Sequence, residues 1–248
     1  MAQVLTSNWD GLSDSLIARF YPVRRNGGQW VAVPDAERVV ACAVLTEASL
    51  EIALNWQSQF ENTDTDSQFP SVTAGLQSGV PQQTIDAVLG SSAAGDALRS
   101  VANQFTGRSG ITRLNSMQAF TGMPPVKITA TAMLRAWSDP WKEVEQIFDQ
   151  MALWALPVEL ARDASIIARL ASADSSAAES LMPSLAPITV AMQYKNKIYS
   201  PLVIESITDP LDAPSDGDGH AVHKVFQIQL STLTAIDRSD WNGRRINL

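Results

Sequence analysis

The stretch VKITATAMLRAWSDPWKEVEQIFDQMALWALP, residues 126–157, changes its hydrophobic period once, and that change decides the fold class. The first part of the stretch alternates between apolar and mostly polar side chains. This alternation predicts a strand with one buried face. The apolar set is Val126, Ile128, Ala130, Ala132 and Leu134, while Met133 is an exception on the other face.

The residues after Ser138 predict a helix. Asp139 suits the N-cap, and Pro140 suits the first helical position because that amide has no acceptor in a helix. Pro157 is expected to end the helix. The predicted apolar face recurs in steps of three and four and consists of Trp141, Val144, Ile147, Phe148 and Met151. We expect this face to pack on a sheet.

Further strands are predicted in two hairpins. Residues 16–23 and 29–33 flank the turn Asn26-Gly27-Gly28. Residues 188–194 and 198–207 flank the turn Lys195-Asn196-Lys197, and Pro201 predicts an edge strand or a bulge.

Three more segments have strand character. Residues 37–44 form an apolar run, and residues 222–231 alternate. Between residues 50 and 57, Leu50, Ile52, Leu54 and Trp56 alternate with polar or small residues, which predicts a strand with one buried face.

These elements define an α+β fold class. The strands are not separated by regular helices, so we expect a mostly antiparallel β-sandwich or open barrel with the amphipathic helix packed on it. Residues 61–116 lack a strand pattern and predict a partly helical insertion. The whole chain, residues 1–248, is predicted to form a single domain, and residues 237–248 a short extended tail.

Composition narrows the function classes. The chain has 248 residues, 45% of them apolar, and its formal charge is −8 with a pI of about 4.7. An acidic surface argues against tight binding of nucleic acid or of an anionic membrane. The single cysteine, Cys42, excludes an internal disulfide and fits assembly in a reducing cytoplasm. Neither a signal peptide nor a membrane-spanning run is expected.

The search for chemistry assigns no catalytic, cofactor-binding or metal-binding residue. Cys42 lies in the apolar run VVACAVL and is interpreted as a core thiol, because no base or electropositive setting accompanies it. His220 and His223, with Asp216 and Asp218, could supply metal ligands. The alternative, which we favour, is a polar loop followed by a strand with an outward histidine.

Other candidate sites have simpler interpretations. Asp64 and Asp66 lie in a polar segment that predicts a solvated loop. The glycine-containing residues 90–95 and 107–110 lack the spacing of a phosphate-binding loop or a nucleophile elbow. Trp137, Trp141 and Trp154 could form a ligand cage but are predicted to be core and interface residues.

Three segments resemble baseplate proteins of contractile-tailed bacteriophages that carry the tail-tube fold. They are residues 48–79, residues 120–157 and residues 188–214, together less than half of the chain. In that family a strand ends in an aromatic residue and a short Asp-Pro-like turn, and a helix with an aliphatic face follows. A later hairpin closes the barrel, and its second strand is similar to Val203-Ile204-Glu205-Ser206-Ile207.

The resemblance is strongest to tube-initiator or hub-adaptor proteins, and it implies a structural role in the virion without catalysis. The expected partners are the chain itself in a ring, as a homohexamer or a trimer, the tail tube protein and other baseplate hub proteins. Genomic DNA would pass through the lumen, and no membrane partner is expected. The alternatives are a baseplate-associated assembly factor and a cell-wall hydrolase, for which Glu159 and Asp163 would be the carboxylates.

Overall fold

The computed structural model describes residues 1–58, 118–160 and 184–244. The chain divides into two compact units, one formed by Met1–Ala53 and Met123–Leu248, the other by Leu54–Gly122. The first unit is α+β, as predicted, and combines a large mixed sheet with one long helix among its described residues. The predicted insertion at residues 61–116 falls outside the described residues.

The described elements follow one another along the chain with short connections. The strands are β1 (Gln3–Leu5), β2 (Ile17–Asn26), β3 (Gln29–Ala32), β4 (Val39–Glu51), β5 (Asn55–Ser58), β6 (Gln118–Gly122), β7 (Lys127–Arg135), β8 (Val190–Tyr194), β9 (Lys197–Ile207) and β10 (His223–Thr232). The helical elements are a 3₁₀ turn (Asp14–Leu16), a π-helical turn (Trp141–Glu145), α1 (Gln146–Ala155) and α2 (Arg238–Gly243).

The sheet of the first unit has eight strands in the order β1-β4-β7-β10-β9-β8-β2-β3. β1 is parallel to β4, and the other pairs are antiparallel, so the mostly antiparallel prediction is confirmed. β2 also pairs with β4, where Ile17 lies opposite Val44 and Phe20 opposite Ala41. The pairings therefore run in a cycle through six strands, and β1 and β3 remain as edges.

β7 lies between β4 and β10 in this sheet. Its predicted alternation is confirmed, because one face is buried throughout and consists of Ile128, Ala130, Ala132 and Leu134, with Val126 just before the strand. β7 is held along its full length by β10, from Lys127 opposite Ser231 to Arg135 opposite His223.

Both predicted hairpin turns are confirmed. Gly27 and Gly28 join β2 to β3 with φ angles of +56° and +88°. Lys195 and Asn196 join β8 to β9 with φ angles of +48° and +58°. Two left-handed residues in succession match the right-handed twist of the flanking strands.

Pro201 lies in a bulge, one of its two predicted settings. β9 has neighbours on both sides, β8 and β10, so it is not an edge strand. Val190 pairs with Leu202 and Met192 with Tyr199, which leaves an extra residue on β9 at the proline. The bulge accommodates a residue that has no amide hydrogen to donate.

The predicted half-buried strand over residues 50–57 is wrong. β4 ends at Glu51 and β5 begins at Asn55, while Ile52, Leu54 and Trp56 are each about half exposed. The boundary between the two compact units falls within this segment, after Ala53. Alternation identifies two faces of a strand, but burial requires a second layer to pack on one of them.

The predicted extended tail begins instead with a short helix, α2. The carboxylate of Asp237 accepts hydrogen bonds from the amides of Ser239 and Asp240, and Asp240 accepts one from the amide of Asp237. This reciprocal capping satisfies amides that have no helical acceptor. The Asp-x-x-Asp spacing in the sequence is the signal that the prediction overlooked.

The junction between β7 and the helix is held by two carboxylates. The side chain of Asp139 accepts the amide of Lys142 at 3.1 Å, so the predicted N-cap is confirmed. Glu143 reaches back and accepts the amides of Trp137 and Ser138 at 2.6 and 3.2 Å. Burial by itself would raise the pKa of Glu143, but these hydrogen bonds lower it below its ordinary value. The helix ends at Ala155, close to the predicted stop.

The helix buries one face against the sheet. This face consists of Val144, Ile147, Phe148, Met151 and Trp154, all at most 5% exposed. The ring of Phe148 meets that of Phe226 on β10 edge-on, with the centroids 5.0 Å apart.

The predicted core position of Trp141 is wrong, because this side chain is 47% exposed. The backbone from Trp141 to Glu145 is π-helical, and the amide of Gln146 bonds to the carbonyl of Trp141. An i→i+5 turn is wider than an α-helical turn, so Trp141 does not keep the 3.6-residue spacing of the face behind it.

Phe148→Ala is expected to lower the free energy of unfolding by about 3–5 kcal/mol, because it leaves a cavity between α1 and β10. Trp141→Ala is the matched control, and its effect should stay within about 1 kcal/mol because the ring is half exposed. Urea denaturation followed by far-UV circular dichroism measures both. Equal losses in the two variants would contradict this packing.

Candidate functional site

A buried lysine lies between the helix and the sheet. Lys224 on β10 is only 5% exposed. Its Nζ lies 2.9 Å from Asp209 Oδ1 and 3.4 Å from Glu145 Oε2. The same atom lies 4.2 Å from the centroid of the Phe148 ring, within range of a cation–π interaction. One ammonium thus joins the π-helical turn, α1, β10 and the segment after β9.

The surrounding carboxylates complete what we call the lysine cluster, namely Lys224, Glu145, Asp149 and Asp209. Glu145 also accepts the amide of Ala221 at 2.9 Å. Burial raises the pKa of the Asp149 carboxyl, the Glu145 carboxylate raises it further, and Lys224 acts in the opposite direction. Three acidic groups therefore depend on one ammonium for neutralisation.

The chemistry of the lysine cluster is structural. A lysine that acts as a nucleophile or base must be able to lose its proton, whereas two carboxylates on Lys224 stabilise the charged form. Sequence reasoning missed this residue, although one signal was present. Lys224 has the same parity as Phe226, Ile228 and Leu230, the buried face of β10.

The four residues considered as metal ligands serve their own loop. Asp216 Oδ1 accepts the amides of Asp218 and His220 at 3.0 and 2.8 Å. The His220 ring packs on the ring of Trp141, with the centroids 5.3 Å apart, and His223 begins β10. Within residues 1–58, 118–160 and 184–244, no group of three or more His, Cys, Asp or Glu side chains is placed to hold a metal ion.

The remaining candidates do not converge on one place. Cys42 is free and buried on β4, and burial raises the pKa of its thiol, which suits the core interpretation. Trp154 is buried, whereas Trp137 is 62% exposed, with the guanidinium of Arg135 5.3 Å from its ring centroid.

Several predicted positions have no structural account. Glu159 pairs through its backbone with Leu185, and its proposed partner Asp163 lies outside the described residues. The same holds for Asp64, Asp66 and residues 90–95 and 107–110.

The two ends of the sheet are candidate contact surfaces. Gln3 donates its amide to the carbonyl of Arg38 at 3.0 Å, so in this parallel pair the backbone of Val4 points away from β4. Val33 donates to Pro22 at 3.1 Å, so the alternation of the antiparallel pair turns the amide of Ala32 away from β2. Among the described strands, neither outer edge has a partner.

Apolar side chains are also exposed at the end of α1 and just after it. Leu153, Leu156, Val158, Leu160 and Leu185 are each more than half exposed. The backbone bridge between Glu159 and Leu185 brings the last of them beside the others. Exposed apolar side chains gathered in one region are typical of protein contact surfaces.

Comparison with models of known protein families gives no match, and comparison with curated protein sequences gives none either. No helix in the part of the chain that the structure describes is long and apolar enough to cross a membrane. Function must therefore be argued from the sheet edges, the exposed side chains and the chemistry of the clusters.

Lys224→Met removes the ammonium and leaves three carboxylates together. We expect the free energy of unfolding at pH 7 to fall by about 3 kcal/mol, the cost of breaking a buried ion pair. A carboxyl whose pKa is raised in the folded state, such as Asp149, takes up its proton more readily there than in the unfolded chain. The loss should therefore shrink as the pH falls towards the ordinary aspartate pKa of 3.8.

Lys127→Met is the control, because Lys127 pairs with Glu205 at 3.6 Å on the surface. Its effect should remain within about 1 kcal/mol. Urea denaturation of both variants at pH 7 and at about pH 5 provides the comparison. A Lys224→Met loss that is small, or that grows towards acid pH, would contradict the role given to the lysine cluster.

Proposed function

We propose that this chain is a structural component of a contractile-tail baseplate, which forms part of the ring that connects the baseplate to the tail tube. The observation that carries the proposal is a strand–turn–helix unit locked onto a sheet that keeps two unpaired edges among its described strands. A rigid protomer with open edges is suited to assembly rather than to catalysis.

The order of elements supports the tail-tube-like interpretation. β7, the turn at Asp139 and Pro140, and α1 follow one another as the resemblance to tail-tube-fold proteins implies. The later hairpin, β8 and β9, joins the same sheet, because β9 pairs with β10 and β10 with β7. The cycle of pairings through six strands is compatible with a barrel.

The sheet edges supply a physical route to a ring. An unpaired edge offers a row of amides and carbonyls to another chain, and proteins usually protect such edges against association. In a closed ring, each edge meets a neighbouring subunit, so the same groups become a specific interface.

Charge supports the remaining part of the proposal, the DNA conduit. The chain carries 26 acidic and 18 basic residues, a formal net charge of −8. A negatively charged surface repels phosphate groups and so lets a nucleic acid pass without binding.

Mass photometry of the purified protein with its cognate tail tube protein should find complexes containing six or three copies of the 26.8 kDa chain. Negative-stain electron microscopy should show them as rings, and mass spectrometry should detect the chain in purified virions. A chain that is monomeric under all these conditions and missing from virions would refute the proposal. Ring formation with absence from mature particles would instead indicate an assembly factor.

Proline substitutions test the edges directly. Ala32→Pro and Val4→Pro each remove an amide that points away from the sheet, so the internal hydrogen bonds of β3 and β1 are kept. We expect each variant to retain its circular dichroism spectrum and to lose most of its ring population in mass photometry. Ala32→Ser keeps the amide and should assemble normally. Full assembly of both proline variants would show that the edges are not the interface.

A further inference from the structure

The end of α2 is anchored beside β9. The carbonyl of Arg244 accepts the amide of Ile198 at 2.8 Å. The guanidinium carbon of Arg244 lies 5.3 Å from the ring centroid of Tyr199 and 5.0 Å from that of Trp241. Two aromatic rings therefore hold one positive charge in a fixed place.

This guanidinium is buried without a full set of partners. Arg244 is only 9% exposed, and within the described residues its Nη1 has no hydrogen-bond partner. The nearby carboxylate of Asp240 is directed to the helix start, where it accepts the amide of Asp237 at 3.0 Å. Burying a donor of this kind unpaired is costly, which favours an acceptor from outside the chain.

Arg244 also lines a small pocket. The other lining residues are Lys197, Tyr199, Trp241 and Asn242. Lys197 begins β9 and is exposed at its side chain, and Asn242 is the exposed residue two positions before Arg244. The lining thus combines two positive charges, an amide and two aromatic walls, and it contains no carboxylate.

We propose that this pocket binds an oxyanion, either a carboxylate or a phosphate group. The free edge of the Arg244 guanidinium would donate to the oxygens, as this planar fork does in charge-assisted hydrogen bonds. Lys197 adds a charge at the mouth, and the side-chain amide of Asn242 supplies a further donor.

A second arginine in the same chain shows what a satisfied guanidinium looks like. Arg38 lies 5.9 Å from the ring centroid of Tyr21, but its Nη2 is 2.6 Å from Asp35 Oδ1. Both arginines stack on a tyrosine, and only Arg38 has an acidic partner within the described residues. The difference points to an anion supplied from outside at Arg244.

The test is a titration of the isolated chain with inorganic phosphate and, separately, with acetate, at constant ionic strength set by sodium chloride. The indole N–H signal of Trp241 in ¹⁵N NMR spectra reports on the pocket. We expect a saturable shift with at least one anion, and the anion that produces it identifies phosphate or carboxylate as the ligand group. No saturable shift with either anion overturns the proposal.

Variants decide whether the bound anion is at this pocket. Arg244→Gln should weaken binding by about tenfold or more, the usual effect of losing a charged hydrogen bond. Arg38→Gln, the matched control, should bind like the wild type. Unchanged affinity in Arg244→Gln refutes the site. If that variant does not fold, Lys197→Gln at the exposed mouth replaces it, and unchanged affinity there refutes the site equally.

Because binding is measured on the chain alone, the outcome is independent of ring assembly. A chain that binds oxyanions but never forms rings would keep this inference and lose the proposed function. Rings without oxyanion binding would do the reverse.

Discussion

The packing of α1 on the sheet is the interaction on which the rest of the described first unit depends. Its face meets strands that are far apart in sequence, and the contact of Phe148 with Phe226 lies at its centre. Lys224 is buried at the same place and contacts Glu145 and Asp209 as well as the Phe148 ring. The hydrophobic contacts supply the stability, while the ion pairs restrict which orientation of the helix satisfies every buried charge.

That constraint has a consequence for the outer surface. Because the helix and its capping carboxylates hold β7 and β10 in register, the sheet can keep unpaired edges at β1 and β3 without rearranging. Edges on a soft sheet promote disordered aggregation, whereas edges on a rigid one can form a defined interface. The Arg244 pocket adds a second feature that invites a partner, since a buried guanidinium there keeps an unused donor among the described residues.

Sequence patterns predicted the local elements well where the period was clear. β7, the N-cap at Asp139 and both two-residue turns depend on neighbouring residues and the general rules of strands, caps and turns. The predictions for Trp141 and for residues 50–57 were wrong for a common reason. Periodicity identifies which residues share a face, but a π-helical turn changes the period and a boundary between units removes the layer that would cover the face.

The sequence by itself determined the α+β class, the strand–helix junction and the acidic charge, because each of these depends on composition or on residues close along the chain. Only the tertiary structure decided that Lys224 is buried between carboxylates and that Arg244 meets Tyr199. Those contacts join residues tens of positions apart, and their partners are set by strand order and register. Local propensity contains no information about either, since the same alternation would fit several sheet orders.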